Sequence, residues 1–168
     1  ASWASGLNLY ATVAVLGLLE FFGVITLPES LHVLSSPWVL GVAVFMYGVE
    51  FFADKIPGVD SVWDAIQTFI RVPAGAFMAA SATGGLDIGM TPEIQTGLAL
   101  LLGGSIAAGA HLTKAGARAM INTSPEPASN WLASIFEDVL VFVGISLAVF
   151  KPIIFIGMFG IFVIFAIW

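Results

Sequence analysis

Residues 59–83 read VDSVWDAIQTFIRVPAGAFMAASAT. At helical spacing Asp60, Asp64, Gln67 or Thr68, and Arg71 fall on one stripe, while Val62, Ile66, Phe69 and Ile70 lie off it. Pro73 is expected to kink this helix. Composition decides which way the stripe faces. Of 168 residues, 59% are hydrophobic and 10% charged, with a mean hydropathy of +1.03, whereas soluble domains carry roughly 25% charged residues. A water-soluble chain of this size could not cover its surface with so few charges. The setting is therefore a membrane, where an ionised side chain costs about 3 kcal/mol and has to face the bundle interior.

Five further apolar stretches surround this helix. Residues 9–27 form a run interrupted by Glu20 and closed by Pro28, and 37–52 follow with Pro37 in a first-turn position. A helix over about 93–121 is rich in small residues, including Gly97, Gly103, Gly104, Ala107 and Ala110, which suits a central, closely packed position. Residues 131–150 and the uninterrupted apolar run 152–168 complete the set. The expected fold is all-α: a polytopic transmembrane helical bundle of about six helices, forming a single membrane domain over 1–168. The N-terminal ASWASGLN lacks a basic n-region, so the first apolar stretch is expected to stay as an anchor.

The turn that precedes residues 59–83 has a near copy later in the chain. GVEFFADKIPGVDSVW (48–63) aligns with GARAMINTSPEPASNW (116–131), pairing Gly48 with Gly116, Pro57 with Pro125, Ser61 with Ser129 and Trp63 with Trp131. Glu50 answers Arg118, and Asp54 answers Asn122. Such an internal two-fold repeat points to related units of approximately 36–83 and 93–150, flanked by helices 9–27 and 152–168. If helix 59–83 spans, which its length favours, the repeats are parallel and both repeat turns lie on one side. Lys55, Lys114 and Arg118 then favour the cytoplasm, with Lys151 on the opposite side. If the helix is re-entrant, the second repeat is inverted.

Two sets of charges oppose one another. His111, Lys114, Arg118 and Asn122 share one helical face, while acids stand as Glu50 with Asp54, Asp60 with Asp64, and Glu137 with Asp138. The expected pairs are Glu50 or Asp54 with Arg118 or Lys114, and Arg71 with Glu137 or Asp138. Counting Glu20, Glu50, Asp54, Asp60, Asp64, Glu137 and Asp138 against Lys55, Arg71, Lys114 and Arg118 leaves acids in excess. An unpaired interior carboxylate has to be protonated, hydrated or cation-bound. Glu50, Asp54, Asp64, Arg71, His111, Lys114, Arg118, Glu137 and Asp138 are therefore the candidate substrate or ion pathway. Pro57, Ser61, Trp63, Pro125, Ser129 and Trp131 are read as structural residues of the repeat.

Ser61 through Asp64 fits a capping box, and Ser124 or Ser129 can start the following helix. The absence of cysteine excludes disulfides, thiolate metal sites and cysteine nucleophiles. No nucleotide, hydrolase or metalloprotease fingerprint is present, and no catalytic, metal or cofactor site is expected. The net charge of −6 describes the interior more than any partner, and no nucleic acid is expected. The leading reading is transport or permeation of a small cation, proton-coupled solute or lipid head group; the alternative is a non-catalytic structural or accessory subunit of a membrane complex, and a third is a lipid-modifying enzyme using a pair of carboxylates. Membrane lipid and either further copies of the chain or other subunits are the expected partners.

Several long motifs carry a resemblance: Gly6-Leu7-Asn8-Leu9-Tyr10, Ser36-Pro37-Trp38-Val39, Val49 through Pro57, Asp60 through Asp64, and Asn122 through Pro127 with Ser129-Asn130-Trp131 and Glu137-Asp138. Together they resemble the bacterial membrane family known as domain of unknown function 4126. The resemblance covers most of the chain, implies a multi-pass protein of the bacterial inner membrane, and brings no established activity. That family's pattern often has a histidine before Thr-Phe-Ile-Arg, where this chain has Gln67, and a proline after the arginine, where it has Val72. The first departure weakens any proton-relay role for position 67.

Overall fold

A computed structural model of the chain describes residues 1–84, 86–123 and 127–168, the side chain of Pro127 excepted. Among these residues the fold is all-α. Helices α1 (Ser2–Leu7), α2 (Leu9–Phe21), α3 (Pro37–Ala53), α4 (Val59–Thr83), α5 (Pro92–Ile121), α6 (Pro127–Phe150) and α7 (Pro152–Ile167) are joined by a 3-10 helix over Glu29–Ser35. Proline opens α3, α5 and α7, where its missing N–H leaves no helical bond unmade. Helix α4 continues through Pro73.

Three boundaries differ from the sequence expectation. A separate α1 precedes the first long helix, because Asn8 leaves helical geometry (φ −149°, ψ 102°) and its Oδ1 accepts a hydrogen bond from the Ala11 amide at 2.9 Å, capping α2. The flanking helix expected over 9–27 ends at Phe21. Gly23 there adopts φ +70°, a left-handed conformation that turns the chain back. Glu20 fastens this turn by accepting from the Leu27 amide at 3.3 Å and lying 3.4 Å from His32. The helix expected from 131 begins at Pro127, one turn earlier.

The polar stripe of α4 faces inwards. Asp60, Asp64, Gln67 and Arg71 are buried, whereas Phe69 is 84% and Val62 63% exposed. Apolar exposure is general, and α7 buries no residue. Two helices, α5 and the 128–150 part of α6, are long and apolar enough to cross a membrane. The 3-10 helix and α3, bent by 65°, make a third if counted as one span. Helix α4 has the length, 25 residues, but its charged stripe lowers its hydropathy.

The principal packing pair is α4 with α5, running antiparallel: positions 60, 68, 75, 79 and 83 meet 122, 111, 107, 103 and 95 in turn. Beyond the charged residues their contact narrows to a seam of Gly75 on Ala107 and Gly103 on Ala79, with no room for larger side chains. Helix α1 lies on this seam. Ser2 Oγ donates to the Gly75 carbonyl at 2.8 Å, Gly6 presses on Ala107 and Ala110, and Trp3 meets Phe155, Phe159 and Phe162 edge-on. Gly103→Val should lower the thermal unfolding midpoint in detergent through about 1–3 kcal/mol of overpacking. Gly97→Val, which enters open space, should leave it unchanged.

Candidate functional site

The two turns of similar sequence meet at one end of the molecule. At the turn after α3, the Asp54 carbonyl accepts from Arg118 Nη1 at 2.7 Å, and Lys55 Nζ donates to Ser134 Oγ at 3.1 Å. At the turn after α5, Asn122 Nδ2 donates to both oxygens of Asp60, at 3.0 and 2.9 Å, and to Ser61 Oγ at 3.0 Å. Each turn thus grips the opening of the helix that follows the other. From this end a column of charge extends along α4 from Asp60 to Arg71, about 16 Å at 1.5 Å per residue.

Lys114 occupies the middle of the column. Its ammonium lies 2.7 Å from Asp54 Oδ2 and 3.6 Å from each of Glu50, Asp64 and Glu137, and it donates to the Leu7 carbonyl at 3.3 Å. That carbonyl is the last of α1, so the negative end of a short helix adds to the carboxylates around the lysine. Arg118, nearer the turns, forms a fork with Glu137 (Nε to Oε1 3.0 Å, Nη2 to Oε2 2.7 Å). Its Nη1 also donates to the Asn130 Oδ1 at 2.7 Å.

Arg71 forms the deep end. It donates to Glu50 Oε1 at 2.8 Å and to Asp64 Oδ1 at 2.9 Å, instead of the expected Glu137 or Asp138. Asp64 lies two turns back on its own stripe, α3 presents Glu50 alongside, and Glu137 is already held by Arg118. His111 Nδ1 is 3.0 Å from Arg71 Nη1 and its Nε2 is 2.6 Å from Thr68 Oγ1. An arginine N–H can only donate, so Nδ1 accepts and the imidazole is neutral.

All the candidate pathway residues are buried, and eight of them, Glu50, Asp54, Asp64, Arg71, His111, Lys114, Arg118 and Glu137, touch within this one network. The expected contact of Asp54 with Lys114 is made. Asp138 stands to one side, accepting from Asn8 Nδ2 at 3.3 Å. In the network four carboxylates, Glu50, Asp54, Asp64 and Glu137, face three cations, Arg71, Lys114 and Arg118. Glu50 Oε2, Asp54 Oδ1 and Asp64 Oδ2 are buried without a hydrogen-bond partner. Among the described residues no group of three or more histidines and carboxylates is arranged to hold a metal ion.

The residues assigned to the repeat divide. Ser61 takes part in the Asn122 contact, but the expected capping box does not form. Helix α4 begins at Val59, and the Asp60 carboxylate accepts from the Gly58 and Ser61 amides at 2.8 and 2.7 Å. Trp131 is about half exposed, with its ring centroid 5.5 Å from Lys55 Nζ, within cation–π range. Trp63 is half-buried and Pro57 exposed, while Ser129 lies in the first turn of α6. Ser124 and Pro125 lie outside the described residues. His32 is satisfied by Glu20 and by the Leu27 carbonyl at 2.8 Å.

A family model described as a domain of unknown function (DUF4126) matches residues 1–168. The chain belongs to the DUF4126 family. No curated protein and no solved structure matches this DUF4126 chain. Its Gln67 donates to the Tyr10 hydroxyl at 3.1 Å, binding α4 to α2. Sequence reasoning missed Asn8 and Asn130 as members of the site. Each lies in a motif that carries the family resemblance, which was a signal that spacing and charge did not use.

Removing Lys114 leaves its buried carboxylates facing one another. Lys114→Met in the DUF4126 protein should destabilise by about 3–5 kcal/mol, the range for breaking a buried ion pair from one side. Lys151→Met, at the exposed basic residue, should leave the unfolding midpoint where it is. Thermal unfolding in detergent micelles compares the two.

Proposed function

We propose that this DUF4126 protein is a multi-pass protein of the bacterial inner membrane, non-enzymatic, whose ionic centre locks two related helical hairpins, α3–α4 and α5–α6, as a structural or accessory component of a larger membrane assembly. The observation that carries this reading is the position of Lys114. The place among four carboxylates that a mobile cation would take is filled by an ammonium tethered to α5. A site already occupied by the protein's own cation is suited to holding helices together. The inside-out distribution of charge supports membrane insertion, because exposed Phe69, Val62 and the α7 face of Ile153, Ile156, Ile161 and Ile164 suit lipid or an apolar partner.

The hairpins support a duplicated origin through their local geometry. Glu50 and Arg118 occupy the last turns of α3 and α5, and Trp63 and Trp131 the openings of α4 and α6. The two positions do not pair with each other: Glu50 meets Arg71 and Lys114, and Arg118 meets Glu137 and, at 3.7 Å, Asp54.

A second reading, proton- or cation-coupled transport, draws on a different observation. With His111 neutral, the network has one carboxylate more than it has cations, and three carboxylate oxygens lack partners. A buried surplus carboxylate of this kind is a place to hold a proton or a small cation. The break between α1 and α2, which brings a helix end to Lys114, is also a feature of transporter sites.

Reconstituted liposomes separate the two readings. Under the structural reading, proton and monovalent-cation flux through the wild-type protein equals that of empty liposomes, and Glu50→Gln lowers thermal stability without altering flux. Flux above the empty-liposome background that Glu50→Gln or Asp54→Asn abolishes would establish transport instead.

A further inference from the structure

The ionic column is one-sided. Its outer end, at the two turns, carries the half-buried Asn122 on Asp60 and Ser61, and Glu137, which is held by Arg118, retains 8% exposure. Its inner end is Arg71 with His111, both at most 1% exposed. One turn beyond Arg71, charge gives way to the seam of Gly75, Ala79, Gly103 and Ala107, over which α1 is laid. Helix α4 is about 37 Å long and the column takes up about its first 16 Å. In the remaining half of the bundle the charged side chains among the described residues are Glu20, part-buried beside His32 at the turn after α2, and Glu29, Asp87, Glu93 and Lys151, exposed at the opposite surface.

The antiparallel course of α4 on α5 removes the alternative in which residues 59–83 enter and leave on one side. Helix α4 starts at the paired turns and ends at the far surface, and α5 returns. The turns after α3 and α5 therefore share a face, and three of the five basic residues lie near it: Lys55 in the turn itself, with Arg118 and Lys114 in the last turns of α5. Lys151 is at the other face, and Arg71 lies between. Basic residues within about 15–20 residues of a span's end bias that end to the cytoplasm during insertion, before the folded protein pairs them, and acidic residues contribute little.

We infer that the two paired turns face the cytoplasm and that the ionic column opens only there, the Gly–Ala seam with α1 closing it toward the outer side. This rests on the membrane reading above. It assigns a direction to the centre: whatever approaches from the cytoplasm meets Asn122 and the Asp60 carboxylate it holds first, while the outer side meets only an apolar closure. The far surface, with Glu29, Asp87 and Glu93, becomes the outer face.

The chain has no cysteine, so single cysteines report accessibility without a background. Ser61→Cys and Thr123→Cys mark the paired turns, and Ser30→Cys and Asp87→Cys the far surface, all at exposed positions. The probe is a membrane-impermeant maleimide applied to intact spheroplasts and to inverted membrane vesicles. The expected result is that the Ser30→Cys and Asp87→Cys variants react in spheroplasts, and the Ser61→Cys and Thr123→Cys variants only in inverted vesicles. The reverse pattern, or reaction of both pairs from both sides, overturns the inference. Carbonate extraction of the same membranes reads the underlying premise separately: release of the protein into the supernatant contradicts membrane insertion itself, whichever side is labelled.

Discussion

Arg71, Lys114 and Arg118 carry fixed charge that neither hydrocarbon nor a packed interior tolerates unpaired, and this need for carboxylates determines where the helices meet. Glu50 comes from α3, Asp54 from the turn that ends it, Asp64 from α4, Glu137 from α6, and the cations from α4 and α5. Because each cation touches acids from more than one helix, or an acid and a turn carbonyl, rotation or sliding of one helix breaks several contacts at once. Dispersion contacts along the Gly–Ala seam then set how closely α4 and α5 approach. Charge chooses the partners, and small residues set the distance.

Buried ion pairs are weak sources of net stability, because desolvation offsets much of their attraction. Their more secure effect is on specificity. An apolar face slides on another at little cost, whereas Lys114 displaced from its cage leaves an ammonium and several carboxylates unmatched. This asymmetry suits a bundle whose outer surface is nearly uniform in chemistry, as α7 is, and so offers little to distinguish one packing from another. The surplus carboxylate is the one feature that a purely structural network does not require, and it is why the flux measurement bears on the account.

The stripe on residues 59–83 was legible because helical spacing and composition act on a single element: the same residues named from spacing are buried, and those off the stripe are exposed. The burial of the charged residues was legible for the same reason, since so apolar a chain leaves its few charges to one another; Asp138, named with them, stands outside the network. Its pairing was not fully legible. Whether Arg71 meets Glu50 or Glu137 depends on how α3 and α6 are rotated about their axes, which spacing within α4 does not encode. The break at Asn8 and the end of α2 at Phe21 were also hidden. Each depends on one residue, Asn8 through its cap and Gly23 through its positive φ, within an apolar run long enough to read as continuous.

A double-mutant cycle on Arg118 and Glu137 tests most directly whether buried pairing holds the bundle in register. Thermal unfolding in detergent is measured for Arg118→Met, Glu137→Leu and the pair together. Mutual pairing predicts that the double variant unfolds at a higher temperature than Arg118→Met alone, because the second change removes the carboxylate that the first leaves stranded. Losses that simply add, with the double variant the least stable of the three, would contradict it.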